Sequence, residues 1–201
     1  MNKQLLFIAA AVLFTSSCKV VGTLYPISQD KKDFIFKKEL IGKWGDHKDT
    51  SGYYFVDTVS GENGKLYQIQ AVFSNKEKNT ADTNRFRAML VKISGLYYLD
   101  CWLDLENEFN NPDKSYEDLL IARHFICRLS FPAPGQLEMA FPDGEELIKL
   151  IEQKKMIATY VSLKKDDYLI LDKPKILQKM IIDSKKYPLL FKETNVLHRV
   201  E

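Results

Sequence analysis

The sequence predicts a mainly β protein: an antiparallel barrel or strongly curved sheet of about eight to ten strands, with two amphipathic helices in its C-terminal half. Two observations carry this prediction. From Leu40 onward, short runs rich in β-branched and aromatic residues follow one another, separated by turn signals such as Gly61–Gly64 and Ser94–Gly95. The hydrophobic repeat changes from two residues to that of a helix only after Pro142.

Neighbouring strands in the first half are expected to pair antiparallel, because the links between them are short. Several runs alternate between apolar and polar residues, as a strand with one buried face and one wet face does. Tyr67, Ile69 and Ala71, for example, alternate with Gln68 and Gln70. The runs predicted as strands cover 41–47, 52–59, 65–73, 85–93 and 96–105.

The second half begins with an acidic, asparagine-rich loop from Glu106 to Glu117. The long apolar run after it has the β-branched and aromatic content of a strand, which is expected to pair with the strand before the loop. Further strands are predicted to follow, the last of them formed by PLLF and VLHRV together. The runs predicted as strands cover 119–131, 136–141, 158–163, 168–171 and 188–200.

Two helices are predicted among these later strands. Over 145–154 apolar residues recur at helical spacing after Pro142, and Asp143 offers a carboxylate to cap the first turn. Over 173–185 apolar residues again recur at helical spacing, and Pro174 lies in the first turn. Both helices are amphipathic, so each needs a sheet surface to cover.

The first 18 residues have the layout of an export signal. Lys3 gives a positive start, an apolar run extends from Leu5 to Phe14, and small residues precede Cys18. The apolar run is about half the ~20 residues that a membrane-spanning helix needs. We therefore expect a targeting segment that is removed from the mature protein.

A cysteine directly after those small residues resembles the lipobox of bacterial lipoproteins. The resemblance implies that residues 1–17 are a cleaved signal peptide and that Cys18 becomes an N-terminus acylated by several lipid chains. It also implies a place in the cell envelope, anchored through Cys18 in the outer membrane and facing the periplasm, because Lys19 and Val20 supply no acidic retention signal. The alternative is a soluble secreted protein cut nearby.

Downstream of this cysteine, residues 18–38 are expected to be a tether, because Pro26 and the charged run Asp30–Asp33 do not suit the interior of a sheet. Residues 39–201 then form one domain, long enough to bury a core. The composition, 45% hydrophobic and 28% charged, is that of a globular protein. No basic stripe carries interleaved aromatic residues, so nucleic acid is not an expected partner.

Cys101 and Cys127 are the two remaining cysteines, in a compartment where disulfides persist. Each lies in a predicted strand and points to the same side as its apolar neighbours two residues away, so both are expected to face the interior. One possibility is a disulfide between them. The other is two buried free thiols that pack as small hydrophobic side chains, and the sequence does not give the Cα separation that decides between the two.

Gly42 and Trp44 begin the first predicted strand of the domain as Gly-Lys-Trp. This pattern resembles the Gly-x-Trp motif of lipocalins and related small β-barrels. The resemblance implies a lipocalin-like barrel in which Trp44 closes one end and stacks under an arginine of the last strand, for which Arg199 is the candidate. The alternative for Trp44 is an ordinary core tryptophan.

The sequence offers no pattern typical of an enzyme, a cofactor site or a metal site. His47, His124 and His198 are isolated, without the spacing of a zinc site. The segment Asp104–Asp113 has oxygen ligands at alternate positions, but Phe109 stands where an EF-hand loop turns at glycine. No Gly-x-Ser-x-Gly or phosphate-binding glycine loop is present. We therefore expect no enzyme activity, no cofactor and no bound metal.

Two functions remain. The first is a binding module, since a barrel of about eight strands is wide enough to hold one small ligand, and an apolar molecule or lipid suits a protein held beside a membrane. The second is a structural or interaction protein of the cell envelope, whose barrel is filled by its own side chains. The large residues expected to point inward are Tyr54, Val56, Phe73, Leu90, Leu99, Leu103, Phe125 and Leu129.

Overall fold

The computed structural model describes residues 20–46, 51–59, 66–75, 80–104 and 123–200, which contain eleven β-strands and two α-helices. The strands are β1 Val20–Thr23, β2 Gly42–Gly45, β3 Gly52–Thr58, β4 Leu66–Asn75, β5 Thr80–Ile93, β6 Leu96–Leu103, β7 His124–Ser130, β8 Gln136–Ala140, β9 Tyr160–Lys164, β10 Asp167–Ile170 and β11 Asn195–Val200. The helices are α1 Gly144–Glu152 and α2 Pro174–Ser184, and 3-10 helices cover Lys31–Asp33, Lys38–Leu40 and Pro188–Phe191. Neither α-helix is long and apolar enough to cross a membrane.

Eight of the strands close into an antiparallel barrel. Their order around the barrel is β2, β3, β4, β5, β6, β7, β8 and β11, and β11 pairs back onto β2. The predicted mainly β fold, with an antiparallel barrel and two helices in the C-terminal half, is confirmed. The predicted pairing of the strands on either side of the acidic loop is also confirmed, since β6 and β7 are antiparallel neighbours.

The other three strands extend the barrel wall outward from β7. β1 meets β7 at Thr23 and His124, and on its other side it pairs parallel with β10. β9 then forms a hairpin with β10 and ends the sheet. The barrel and this extension are therefore one continuous eleven-stranded sheet.

The barrel interior is filled by alternate residues of its strands, together with Leu40 just before β2. The pairing register has no shift from β2 to β5, so each inward residue lies beside an inward residue of the next strand. The buried members of this interior cluster are Leu40, Trp44, Val56, Tyr67, Ile69, Ala88, Leu90, Leu99, Cys127, Leu129, Leu137 and Leu197.

A second hydrophobic core covers the outer face of β5, β6 and β7. Both α-helices pack there, and so does the chain before β2. The expectation of one wet face therefore does not hold for these three strands: Met89, Val91, Tyr98 and Ile126 point away from the interior and are still buried. The two amphipathic helices supply the apolar surface that this outer face needs.

Residues 20–38 are part of the folded unit, which corrects the expected tether. β1 is hydrogen-bonded into the sheet, and Ile27 is fully buried. The polar run that argued against a sheet forms the 3-10 helix Lys31–Asp33 on the surface of the barrel, where its backbone needs no strand partner. A charged run in the sequence therefore does not distinguish a flexible tether from a segment that packs on the surface of the barrel.

The expectation that PLLF and VLHRV form one strand is wrong in its first half. Residues Pro188–Phe191 are a 3-10 helix, and only Asn195–Val200 is a strand. Pro188 lies in the first turn of this short helix, where the missing N–H costs nothing. Its apolar residues Leu190 and Phe191 are buried in the outer core.

The barrel has two different ends. At the closed end, β2, β4, β6 and β8 begin, and the chain from Phe34 to Ile41 crosses beneath them. At the open end, β3, β5, β7 and β11 begin.

Candidate functional site

Trp44 lies at the closed end and is 1% exposed. Its indole Nε1 donates a hydrogen bond of 2.8 Å to the carbonyl oxygen of Leu40. Arg199, its partner in the β2–β11 register, places its guanidinium Cζ 4.8 Å from the centroid of the indole ring. The structure thus brings Trp44 and Arg199 together at one end of the barrel.

Arg199 also ties the chain before β2 to the last strand. Its two terminal nitrogens donate 2.8 Å hydrogen bonds to the carbonyl oxygens of Ile41 and Glu39. Gly42 makes room for this arrangement: its φ of +133° suits glycine, and a Cβ there would lie 2.4 Å from Nη1 of Arg199. Gly42, Trp44 and Arg199 therefore lie together at this end of the barrel.

The chain from Phe34 to Ile41 completes the seal. Phe34 forms an isolated bridge with Val91, and the backbone N–H of Ile35 donates to the carbonyl oxygen of Leu90 at 2.8 Å. The backbone N–H of Lys37 donates to the Tyr67 hydroxyl at 2.7 Å. The closed end is held by backbone contacts as well as by packing.

At the open end, a set of apolar side chains on the inward face of the barrel is only partly buried. Partly buried apolar side chains also occur at the closed end, where Ile41, Tyr97 and Phe131 pack against the interior cluster. We call the partly exposed set at the open end the apolar mouth. Its members are Tyr54, Phe73, Phe86, Cys101, Leu103, Phe125, Met139 and Phe141.

The apolar mouth lies above the packed interior of the barrel. Phe73 and Tyr54 meet edge to face with centroids 6.1 Å apart, and Leu103 is the register partner of Phe86. Below them the interior cluster is buried. All eight residues that the sequence placed inside the barrel lie on its inward face: Val56, Leu90, Leu99 and Leu129 are buried, and Tyr54, Phe73, Leu103 and Phe125 line the mouth.

Few polar groups stand among these inward positions. The hydroxyl of Tyr54 is close to the interior, and burial raises the pKa of this phenol to about 12, so the group is neutral at physiological pH. Asn84, the register partner of Ala71 on β5, is buried, and Asp82 two residues earlier is exposed at the rim. Sequence reasoning missed Asn84 and Asp82, although the alternation along β5 could have placed both on the inward face.

Cys101 and Cys127 both face the barrel interior, on the neighbouring strands β6 and β7. They are not directly opposite: Cys101 pairs with Phe125, and Cys127 pairs with Leu99. Both are free thiols. Burial raises the pKa of each thiol well above its usual range, which makes them poor nucleophiles at neutral pH.

The isolated histidine His124 has a buried partner outside the barrel. Its Nδ1 lies 2.7 Å from Oδ1 of Asp100, which is fully buried, and the backbone N–H of Ile27 donates to the other carboxylate oxygen at 2.6 Å. Beside this pair, Arg123 forms a 2.6 Å ion pair with Asp167 of β10. These polar contacts join the chain after β1, and strand β10, to the barrel wall.

The other predicted candidates contribute little to the site. Most of the acidic segment Asp104–Asp113, and His47, lie outside the described residues. Asp104 itself is buried, with its carboxylate 3.4 Å from Nε of Arg87. Within the described ranges, no three His, Cys, Asp or Glu side chains gather as metal ligands would.

One small cavity lies outside the barrel. It has a volume of about 30 Å³ and lies between the outer wall and the two helices, lined by Ile126, Leu147, Ile170 and Met180 among others. That volume is room for about one water molecule, so this cavity is a packing gap and not a ligand site.

Comparisons with known proteins found no relative of this chain: no family model, no curated protein and no solved structure matches it. The class that the fold and the site define is an eight-stranded antiparallel barrel with one sealed end and one apolar mouth. This architecture is consistent with the lipocalin-like barrel implied by Gly42 and Trp44.

Proposed function

We propose that this protein is a bacterial lipoprotein of the cell envelope, anchored through an acylated Cys18, whose barrel binds a small apolar molecule or part of a lipid. The observation that carries the proposal is the apolar mouth. Large aromatic and aliphatic side chains remain partly exposed there, on the inward face of a barrel that is sealed at its other end. Apolar concave surfaces with few polar groups are the usual sites of small ligands.

The packed interior below the mouth limits what the site holds. A ligand reaches the mouth residues but not the buried cluster below them, so it is small or enters with only one end. Covering about 200 Å² of apolar surface contributes about 5 kcal/mol before the cost of association. Since about 5 kcal/mol corresponds to a dissociation constant of about 0.2 mM, we expect weak binding with dissociation constants at or above that value.

Binding can be tested by titrating residues 19–201 with the neutral dye N-phenyl-1-naphthylamine, whose fluorescence rises in apolar surroundings. We expect saturable binding that Phe73→Ser weakens severalfold, since Phe73 lines the mouth. Phe55→Ser is the matched control, because Phe55 is a 40% exposed phenylalanine on the outer face of the neighbouring strand. Equal effects of the two substitutions would place the dye elsewhere, and no saturable binding would exclude the site.

Anchoring needs a separate experiment. The full-length protein expressed in a bacterium should take up labelled fatty acid and fractionate with membranes, and Cys18→Ser should abolish both. Labelling that survives Cys18→Ser would mean that the anchor is at another position, and the lipoprotein assignment would be wrong.

A second candidate function is favoured by the filled interior. Twelve buried residues occupy the barrel below the mouth, which suits a structural or interaction protein that holds no ligand. Mass spectrometry of an organic extract of the purified protein separates the two candidates. A co-purifying lipid favours the binding protein, whereas an empty extract together with no dye binding favours the filled barrel.

A further inference from the structure

We infer that the turn between β9 and β10 lies on the membrane surface, in contact with phospholipid headgroups, and that the short connection to Cys18 holds it there. This inference rests on the proposed function, since it takes the acylated Cys18 as the anchor. It adds to that proposal a lipid-contacting surface and a fixed orientation of the barrel. The observations that carry it are where the folded chain begins and what lies beside its first residue.

The sheet begins two residues after Cys18. Val20 is the first residue of β1, and only Lys19 separates it from the cysteine. Two residues of extended chain span at most ~7 Å. A tether over residues 18–38 would have reached roughly 70 Å. Because β1 is paired into the sheet, the domain has almost none of the freedom that such a tether would give.

β1 begins beside the tip of the β9–β10 hairpin. The backbone N–H of Val20 donates to the carbonyl oxygen of Asp166 at 2.7 Å, and Val20 is the register partner of Asp167. Lys165 and Asp166 form the tight turn of the hairpin. Neighbouring strands lie ~5 Å apart, so this turn is within roughly 12 Å of the Cα atom of Cys18.

That distance is close to the thickness of the headgroup layer. The layer accounts for ~5–8 Å on each side of a bilayer, and acyl chains bound to Cys18 lie in the hydrocarbon below it. Even with the connection fully extended, the turn stands no more than roughly 4–7 Å above the headgroups. The long side chain of Lys165 can cross that gap, so the turn meets the lipid surface.

The side chains of the turn suit a phospholipid surface. Lys164, Lys165 and Asp166 are exposed, and the sequence places Lys19 next to the anchor. These four residues carry three positive charges and one negative charge, which favours contact with anionic headgroups. The following acid, Asp167, is buried in an ion pair and adds no exposed negative charge.

The barrel wall farthest from this surface is β3. The strands β1, β10 and β9 extend the sheet from β7, and β3 lies four strands from β7 in either direction around the barrel. Phe55, on the outward face of β3, is 40% exposed. A protein held by the β9–β10 turn therefore keeps Phe55 away from the lipid, which makes this position a matched control.

The test uses the full-length, lipidated protein in vesicles of phosphatidylethanolamine and phosphatidylglycerol. Bromine atoms near the headgroup end of the acyl chains quench tryptophan emission at short range. Lys165→Trp places a reporter at the turn, and Phe55→Trp places one across the barrel. The emission of the native protein, which contains Trp44 and Trp102, is subtracted. We expect a loss of emission for Lys165→Trp and no loss for Phe55→Trp.

A second variant tests the role of the short connection. A flexible insert of about twelve Gly and Ser residues between Lys19 and Val20 has a root-mean-square length of roughly 20 Å. It restores the freedom of a tether and leaves the domain unchanged. The quenching of Lys165→Trp should then fall toward that of Phe55→Trp.

The outcomes separate the anchor from the orientation. If Cys18 takes up no labelled fatty acid, the proposed anchor fails and the orientation fails with it. If the protein is lipidated but Lys165→Trp is quenched no more than Phe55→Trp, the anchor stands and the orientation is overturned. If the insert leaves the quenching of Lys165→Trp unchanged, the short connection does not hold the turn on the membrane, and the inference is overturned.

Discussion

The indole of Trp44 is held from two sides, by the carbonyl of Leu40 and by the guanidinium of Arg199. Trp44→Ala should lower the free energy of unfolding by about 3–5 kcal/mol, since it removes a buried aromatic side chain. Arg199→Ala should cost less, because this side chain is largely exposed. In urea unfolding, the double mutant should show a coupling of about 0.5–1 kcal/mol between the two sites.

Arg199→Lys is the control for this pair, because it keeps the charge but loses the planar fork that reaches Ile41 and Glu39. It should therefore behave more like Arg199→Ala than like the native protein. Strict additivity of Trp44→Ala and Arg199→Ala would mean that the stacking contributes nothing. A Trp44→Ala effect within about 0.5 kcal/mol of zero would contradict the burial of the ring.

At the residue scale, the sequence allowed residues to be named where a local pattern carried the information. Gly42 and Trp44 could be named because their spacing resembles a known motif, and Arg199 followed from the same resemblance. The pair of Asp100 with His124 could not be named, because it depends on which residues of β6 and β7 stand near each other across the strands. An aspartate inside an otherwise apolar strand was the only local signal.

At the element scale, α1 begins with a capping carboxylate that the sequence already indicated. Oδ1 of Asp143 accepts a 3.0 Å hydrogen bond from the backbone N–H of Glu146, and Lys192 lies 3.0 Å from Oδ2. Partial burial acts to raise the pKa of Asp143, but the Glu146 N–H and the Lys192 ammonium outweigh it and lower the pKa below its usual value. The ionised cap is therefore favoured by the fold.

A lowered pKa in the folded state means that this carboxylate stabilises the protein above the unfolded value of about 3.9 and stops doing so as the pH falls through the lower folded value. Asp143→Ala should cost about 1 kcal/mol at pH 7 because it removes the cap. Asp143→Asn keeps a capping oxygen, so it should cost less, and its deficit against the native protein should shrink as the pH is lowered from 5 toward 3.

Urea unfolding at several pH values measures this deficit. Glu145→Gln is the control, because Glu145 is an exposed acid in the same first turn and does not cap the helix. It should show little pH-dependent difference from the native protein. A deficit of Asp143→Asn that stays constant between pH 7 and pH 3 would contradict the assigned role of the charge.

The elements that sequence analysis assigned correctly are those with a long or repeated pattern. The barrel strands alternate, and α1 and α2 repeat at helical spacing, so each signal is confirmed over several residues. PLLF is only four residues long, and a short apolar run is equally compatible with a strand and with a 3-10 helix. Packing of these residues against the outer core determines their conformation, and the four-residue run contains no signal of that packing.

At the scale of the whole molecule, the sequence predicted a barrel with inward residues and, through the resemblance to lipocalins, a closure at Trp44, but it did not predict the apolar mouth at the other end. The two ends differ in what covers each opening: residues Phe34 to Ile41 cross the closed end, while the mouth residues stay partly exposed. Which inward residues lie near an end depends on strand tilt and register around the whole barrel. The sequence of one strand gives neither its tilt nor its register, so the apolar mouth could be recognised only in the folded barrel.

The last prediction concerns the chain before the barrel. It tests whether residues 20–38 are a tether or a structural part of the domain. Ile27 is fully buried in the outer core, its N–H donates to Asp100, and its carbonyl accepts a 3.1 Å hydrogen bond from Nε2 of Gln178 on α2. Ile27→Ala should lower the free energy of unfolding by about 2–5 kcal/mol. Leu24→Ala, a 38% exposed residue of the same segment, should cost less than about 1 kcal/mol.

Both variants can be compared by urea unfolding of residues 19–201. A tether contributes nothing to the stability of the domain that follows it, so in a tether the two substitutions would be equally silent. In a covering segment only the buried position matters, because alanine leaves a cavity between the barrel wall and α2. Equal and small effects on the free energy of unfolding would mean that residues 20–38 are a linker. A large loss of stability for Ile27→Ala alone would mean that they belong to the outer core of the barrel.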